Sequence, residues 1–179
     1  MGIKDGEIER VLLVASTAEL FQAALIQAAN QGCLVGPLGF RVPKEWPPTE
    51  LTVEWGAPIN ESHTMAGENA EGKGIWLIVA KEPEPTLIGF ALVTISPLRD
   101  GDDAEITIEI LPEFHNRRFG TDTCKALLKY LFGRPEIVRI SAICGNCDGI
   151  SILKQAGFVQ SRECAEFFEL TRGLYCTPL

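Results

Sequence analysis

Apolar and polar residues alternate with a period of two in the segment AEITIEIL, residues 104–111. Because successive side chains of a strand point to opposite faces, this pattern predicts a strand with one apolar and one polar face. Apolar residues then recur at helical spacing over residues 119–132. Gly133 and Pro135 follow, and they predict that this helix ends there.

Other segments extend this pattern in both directions along the chain. They are a strand in IERVLLVAS, a helix in STAELFQAALIQAANQG with capping-box spacing at its start, a weaker helix between Glu50 and Asn60, strands in GIWLIVAK, LIGFALVTIS and IVRISAIC, a short helix in GNCDGISILKQAGF, and a strand or strand pair in FVQSRECAEFFELT. Prolines exclude a regular element from Gly36 to Glu50, where Trp46 is expected to anchor a loop. The order β-α-(α)-β-β-β-α-β-α-β predicts an α/β (α+β) fold with a mixed sheet.

Length and composition place the chain among globular proteins. Its 179 residues fit one domain, residues 1–179, and 46% of them are hydrophobic. No apolar run reaches the roughly 20 residues that a membrane span needs. The first ten residues lack the apolar core of a signal peptide, so a cytoplasmic location without membrane attachment is expected.

Charge narrows the choice of partners. A formal net charge of -8 disfavours binding to nucleic acid and suits a cationic partner such as an amine. Residues 112–139 differ from the whole chain in the sign of their charge, because they include six Lys or Arg and only three Asp or Glu. This local excess of positive charge predicts a small anionic ligand there.

The basic residues gather where the predicted strand gives way to the predicted helix. His115, Asn116, Arg117 and Arg118 precede Gly120 at the helix start. The first amides of a helix are unpaired donors, and arginine adds forked donors that suit phosphate oxygens. The loop is therefore interpreted either as a site for a diphosphate group or as a solvated basic turn.

Six cysteines occur, and two of them form the motif CGNC at Cys144 to Cys147. This spacing is found in zinc and redox sites, which leaves a redox or metal protein as one hypothesis. No second CxxC or CxxH completes a tetrahedral site, so no metal site is predicted. Small buried apolar residues are the default interpretation of the cysteines.

These segments together resemble the GCN5-related N-acetyltransferases, the GNAT superfamily, and in particular its RimJ/RimL-like branch, which acetylates α-amino groups of proteins. IERVLLVASTAELFQAAL is similar to the opening strand and helix, and VPKEWPP is similar to the proline-rich loop. AEITIEILPEFHNRRFGTDTCKALLKYLF resembles the central strand, cofactor loop and helix, and NCDGISILKQAGF resembles the last helix. The resemblance covers nearly the whole chain.

The resemblance implies the GNAT fold, a mostly antiparallel central sheet splayed at its middle strands with flanking helices, and acetyl-CoA as cofactor. In the loop pattern Q/R-x-x-G-x-G/A, His115 takes the first position, Arg118 the middle glycine and Gly120 the last. By this resemblance the backbone amides that bind the diphosphate of CoA are those of Asn116, Arg117, Arg118, Phe119, Gly120 and Thr121. Ile110 and Leu111 would pair with the pantetheine arm, and Asn146 would contact that arm near the thioester.

Three positions depart from the family pattern. Arg118 replaces a glycine, which restricts the backbone if a positive φ is needed there. Gly149 stands where the RimL-like pattern has Ser, and Leu153 stands where many relatives have a Tyr that serves as general acid. These departures motivate an alternative function, a non-catalytic CoA-binding or interaction module on the same fold.

The leading hypothesis is an N-acetyltransferase that moves an acetyl group from acetyl-CoA to a primary amine, by direct attack in a ternary complex. A protein α-amine or a small cationic amine would be the acceptor, and the protein would act as a monomer or homodimer. Glu105 and Glu109, on the polar face of the strand, are the candidate bases. Glu105 is preferred because the family's strand often has an acid near that position, and a solvent-exposed polar face is the alternative. Ser151, Cys147 or water could protonate the leaving thiolate.

Overall fold

The computed structural model describes residues 10–16, 18–29, 39–48 and 73–175. The helices and strands in this part of the chain are β1 (Val11–Ala15), α1 (Ala18–Ala29), β2 (Lys73–Ala80), β3 (Thr86–Leu98), β4 (Gly101–Ile110), α2 (Phe119–Phe132), β5 (Ile137–Ile143), α3 (Cys147–Gln155), β6 (Val159–Gln160) and β7 (Phe167–Thr171). Short 3-10 turns occupy Pro112–Phe114 and Arg172–Leu174. The weaker helix predicted between Glu50 and Asn60 lies outside the described residues.

The described strands form a seven-stranded sheet in the order β1-β2-β3-β4-β5-β7-β6. All neighbours are antiparallel except β4 and β5, which run parallel. A parallel pair needs a crossover, and α2 supplies it between these two strands. The prediction of a mixed, mostly antiparallel sheet with flanking helices is confirmed.

The two parallel strands separate before β4 ends. Their paired residues run from Asp102 opposite Ile137 to Ile106 opposite Ala142, whereas β4 continues to Ile110. Residues 107–110 therefore have no described strand beside them on the β5 side. This is the splay that the resemblance placed at the middle strands.

Helices cover both faces of the sheet. On one face, Ala104, Ile106 and Ile110 of β4 share a buried cluster with Leu127 and Leu131 of α2. The alternation predicted for β4 is confirmed, because Glu105 and Thr107 between these residues are exposed. The apolar stripe of α2 thus fixes the start of this helix beside the end of β4.

The opposite face is covered by α1 and by the proline-rich loop. Phe21 and Ala24 of α1 are buried with Leu77 of β2. Trp46 is 3% exposed, and its ring meets the edges of Phe21 and Phe90 at centroid distances of 6.1 and 6.3 Å. The prediction that Trp46 anchors this loop is confirmed.

Helix α2 spans Phe119–Phe132, the residues that the pattern predicted. Its C-cap Gly133 is right-handed, with φ -65°, so the helix ends without the left-handed residue that often follows a helix. Gly157, after α3, has φ +95° and is left-handed. The last segment is a strand pair, β6 and β7. None of the described helices is long and apolar enough to cross a membrane.

Candidate active site

The end of β4 is fixed by a bulge in its neighbour β3. The register of β2 and β3 shifts between Ile78 and Val79, which leaves Ile88 as an extra residue in β3. The Ile88 carbonyl accepts the N–H of Leu111 at 2.8 Å. Leu111 is 2% exposed, so both its side chain and its N–H are directed into the protein.

The backbone of β4 presents polar groups to the splay. In an antiparallel ladder, the hydrogen-bonding groups of alternate residues point to opposite sides. Since Leu111 bonds to β3, the N–H and C=O groups of Ile108 and Ile110 point toward β5, where the strands have separated. Of the two residues predicted to meet the pantetheine arm, Ile110 faces the splay and Leu111 faces β3.

His115 joins the loop to the end of this strand. Its Nε2 lies 2.7 Å from the carbonyl oxygen of Ile110. A carbonyl can only accept, so Nε2 carries the proton in this bond. The contact uses one of the backbone groups in the splay. No strand pair within the described residues uses the N–H of Ile110 or the backbone groups of Ile108 on this side.

Two residues of the loop that are not glycine have a left-handed backbone. Asn116 has φ +60° and Arg118 has φ +65°. Arg118 is the N-cap of α2, and its ψ is 8°. At the position of the family's middle glycine, this chain therefore has an arginine in a backbone conformation that favours glycine. This conformation costs on the order of 1 kcal/mol of folding free energy.

The charged side chains of the loop differ in how they are held. The guanidinium of Arg117 lies over the ring of Phe114, 5.7 Å from its centroid. Arg118 is exposed, and no hydrogen bond or ion pair joins its guanidinium to the part of the chain that the structure describes. Arg10, which precedes β1, contacts the loop from the opposite end of the sequence through Asp122 and the carbonyl of Arg117. The sequence gives no signal for this last contact.

Gly120 lies in the first turn of α2 and faces α3. A Cβ there would lie 2.9 Å from Cδ1 of Ile152. The missing side chain thus allows the start of α2 to approach α3, and this close approach is a reason for glycine besides access for a ligand. Phe119 beside it is buried, and Thr121 is half-buried.

Asn146 lies across the splay from β4, after the end of β5. It caps α3, and its Oδ1 accepts the N–H of Gly149 at 2.7 Å. The residue is exposed. The bond to Gly149 uses the side-chain oxygen of Asn146, and no hydrogen bond of its NH2 group to the described part of the chain is found.

The two candidate bases occupy different parts of β4. Glu105 is paired with Thr94 of β3 and Ser141 of β5, in the closed part of the sheet. Glu109 is paired with Phe90 and lies beyond the last β4–β5 pair. The two residues are about 13 Å apart along the strand, so they cannot serve the same reacting atom. Of these two candidates, Glu109, which is half-buried, is the one that lies beside the splay.

An ion-pair network fills the closed part of this polar face. Asp103 accepts hydrogen bonds from Nε of Arg139 at 3.0 Å and from the hydroxyl of the buried Ser141 at 2.9 Å. Arg139 also lies 3.5 Å from a carboxylate oxygen of Glu169. The hydrogen bond to Asp103 raises the pKa of Arg139, so this guanidinium remains charged.

The positions of the family's usual proton donors are apolar here. Leu153 is 6% exposed and packs in the core beneath α2. A Cβ at Gly149 would lie far inside van der Waals contact with Sγ of Cys144, which explains the glycine. Ser151 is exposed, and its hydroxyl accepts a hydrogen bond from Gln155 at 3.1 Å. Cys147 is exposed at the first position of α3.

The cysteines that the structure describes, Cys124, Cys144, Cys147 and Cys164, are free thiols. Burial raises the pKa of Cys124 to about 12. No group of three His, Cys, Asp or Glu side chains in the described ranges could hold a metal ion. Cys33 and Cys176 lie outside those ranges.

Comparison with known proteins places this geometry in a family. Residues 42–159 match the family model described as an acetyltransferase (GNAT) domain, which is more than half of the chain. No curated protein matches the chain significantly.

Solved structures share the fold at low sequence identity. An aminoglycoside N-acetyltransferase is 20% identical with a TM-score of 0.58, over 92% of this chain and 98% of that chain. An aminoglycoside acetyltransferase in complex with coenzyme A is 15% identical with a TM-score of 0.57, over 92% and 96%. A chimera of the spermidine N-acetyltransferase SpeG from Vibrio cholerae is 14% identical with a TM-score of 0.57, over 92% and 96%. The match to the family model and this shared fold lead to one conclusion: the chain belongs to the GNAT acetyltransferase family.

Proposed function

We propose that this protein is a cytoplasmic, single-domain N-acetyltransferase that transfers an acetyl group from acetyl-CoA to a primary amine. The observation that carries the proposal is the separation of β4 from β5 after Ile106, next to a basic loop that starts α2. A ligand with a strand-like arm and a diphosphate group fits this arrangement, because the strand offers unpaired backbone groups and the loop offers amides and cations.

The cofactor is assigned to residues on both sides of the splay. The amides from Asn116 to Thr121 would bind the diphosphate, and the guanidinium of Arg118 would add charge. The pantetheine arm would run along β4 and form hydrogen bonds with the backbone of Ile108 and Ile110. Leu111 would contribute only by packing, because its N–H is bonded to Ile88. Asn146 would donate from its NH2 group to the arm near the thioester, since its oxygen already caps α3.

The reaction would proceed by direct attack of the amine in a ternary complex. Glu109 would accept the amine proton, directly or through a water, because it lies where the strands separate. The N–H of Ile108, farther from the loop than that of Ile110, is a candidate to stabilise the developing oxyanion, while the pantetheine arm bonds to the carbonyl of Ile108 and the N–H of Ile110. Water, Ser151 or Cys147 would return a proton to the CoA thiolate. Glu105 lies in the closed part of the sheet, and its negative charge would help attract the cationic acceptor.

The acceptor is proposed to be a cationic primary amine. The polar face of β4, β5 and β7 holds Asp103, Glu105, Glu109 and Glu169, with Arg139 as its cation. This acidic face favours a positively charged acceptor. Solved relatives of the same fold are named for aminoglycoside and spermidine acetylation, and both substrates are cationic amines. A protein α-amine, as in the RimJ/RimL-like branch, fits the same face, with the enzyme acting as a monomer or homodimer.

A second function is a CoA-binding module without catalysis. It is favoured by the buried Leu153 and by Gly149, which leave no hydroxyl at the two family positions for the acid. Both functions require cofactor binding, and only the first requires acetyl transfer to an amine.

Cofactor binding is tested by the melting temperature of the protein in CoA, acetyl-CoA and adenosine diphosphate. A ligand at 100 times its Kd stabilises a protein by about 2.7 kcal/mol, which is a shift of several degrees. CoA and acetyl-CoA should raise the melting temperature, and adenosine diphosphate should raise it less because it lacks the pantetheine arm. No shift with millimolar CoA would contradict both functions.

A further inference from the structure

Arg10 connects the start of β1 to the cofactor loop, more than 100 residues later. Its Nε donates to Oδ2 of Asp122 at 2.8 Å, and its Nη2 donates to the same oxygen. Nη2 also donates to the carbonyl of Arg117 at 3.0 Å. The guanidinium lies 5.2 Å from the centroid of the Phe119 ring. The side chain of Arg10 thus contacts the loop at Arg117, the first turn of α2 at Asp122 and the ring of Phe119 between them.

Both ends of this connection are fixed by backbone hydrogen bonds. The carbonyl of Arg10 accepts the N–H of Lys81 at 2.9 Å, which ties Arg10 to the end of β2. The N–H of Asp122 donates to the carbonyl of Arg118 at 3.1 Å. Arg10 therefore ties the loop to the sheet from outside the loop, in addition to the bond of His115 to Ile110.

The contact with Arg117 determines the orientation of one peptide group. The carbonyl of Arg117 and the N–H of Arg118 belong to the same planar trans peptide and point in opposite directions. While Arg10 holds the carbonyl on its own side, the N–H of Arg118 points to the other side. A half-turn of this peptide would move φ of Arg118 from +65° to a negative value and would turn its N–H away.

We propose that Arg10 is a positioning residue for the cofactor loop, which it serves by holding the Arg117–Arg118 peptide in one orientation. This contact allows an arginine to keep the left-handed conformation where the family pattern has glycine. It keeps the Arg118 N–H directed at the diphosphate site. The inference rests on the proposed function, because it takes the loop as that site.

The test compares the affinity for CoA, measured by calorimetry, across a set of variants. Arg10→Ala removes the bond to the Arg117 carbonyl and is expected to raise Kd roughly tenfold, as loss of a hydrogen bond from a charged group does. Adding Arg118→Gly should restore part of the affinity, because glycine keeps a positive φ unaided even though the charge of Arg118 is lost. Adding Arg118→Ala is the matched control, and it should restore nothing.

Steady-state kinetics give an independent readout. Arg10→Ala should raise KM for acetyl-CoA with little change in kcat, and Arg10→Lys should give an intermediate KM because it keeps the charge beside Asp122. Arg134 forms an ion pair with Glu136 at 2.8 Å, outside the loop, and this pair is about as exposed as the pair of Arg10 with Asp122. Arg134→Ala breaks this pair and should leave KM unchanged. Equal KM for Arg10→Ala and the wild type would overturn the proposal, and so would equal rescue by the glycine and alanine variants.

A measurement without cofactor separates this inference from the proposed function. In urea denaturation, Arg118→Gly should raise the midpoint more in the wild type than in the Arg10→Ala background, because without Arg10 the peptide turns and Arg118 no longer has to hold a positive φ. If the wild type fails to bind CoA, the proposed function and the positioning role both fail, whatever the midpoints. If it binds and the midpoints show no coupling, the positioning role alone is wrong. Arg10→Lys and Asp122→Asn replace Arg10→Ala if that variant does not fold.

Discussion

At the scale of single residues, the position of a carboxylate along one strand decides what it can do. Glu105 and Glu109 share a face of β4, but β5 accompanies the strand only as far as Ile106. Glu105 therefore stands opposite Ser141 in a closed sheet, and Glu109 stands where a ligand can enter. The family resemblance preferred Glu105, and Glu109 is our proposal from the geometry.

This difference predicts unequal effects of two matched substitutions. Glu109→Gln should lower kcat about 100-fold, because it removes the proton acceptor. Glu105→Gln should lower kcat only a fewfold and should mainly raise KM for a cationic amine. Thiol release from acetyl-CoA, with each amine at several concentrations, measures both. The assignment is wrong if Glu105→Gln causes the larger loss of kcat.

A second prediction at this scale concerns the cysteines. Burial raises the pKa of Cys124 to about 12, so this thiol remains protonated at pH 8 and is shielded from reagents. A maleimide at pH 8 should modify the exposed Cys147 and Cys164 in the folded protein and should reach Cys124 only in urea. Peptide mapping by mass spectrometry identifies the sites. Modification of folded Cys124 as fast as Cys164 would contradict the packing around α2.

At the scale of elements, the approach of β3 to β4 depends on a glycine. A Cβ at Gly89 would lie far inside van der Waals contact with the carbonyl oxygen of Glu109. That carbonyl belongs to the backbone, so it cannot move away as a flexible side chain would. Gly89 thus lets the strand that holds the candidate base lie close to the bulged part of β3.

Gly89→Ala should therefore destabilise the protein by about 1–3 kcal/mol, the range seen when a packed core is forced to accept extra atoms. It should also lower kcat, because Glu109 shifts with its backbone. Gly173→Ala is the control, since nothing lies within 4 Å of the added atom and its φ is not left-handed. Urea denaturation measures both variants, and equal midpoints would show that β3 and β4 are not so closely packed.

Elements whose signals are local in the chain could be predicted from the sequence. The alternation in β4 and the stop signals after α2 gave the strand and the bounds Phe119–Phe132. The splay depends on where β5 leaves β4, and pairing between distant segments has no local signal. The arginine at position 118 gives no signal of its left-handed φ, and only the glycine of the family pattern at that position raised the possibility.

At the scale of the whole molecule, opposite charges lie on the two sides of the splay. The loop at the start of α2 is basic, while the face that holds Asp103, Glu105 and Glu169 is acidic around Arg139. Such a division suits a reaction between an anionic cofactor and a cationic acceptor that enter from different sides. It also accounts for a basic loop in a chain whose net charge is -8.

The central claim is that acetyl-CoA and an amine react in this splay. The most direct measurement is thiol release from acetyl-CoA with spermidine, an aminoglycoside, N-terminal peptides and a neutral amine, with the acetylated product identified by mass spectrometry. We predict amine-dependent release that is fastest with a cationic amine, gives a stoichiometric N-acetyl product and falls in Glu109→Gln. Binding of CoA without any amine-dependent release or acetylated product would contradict the claim.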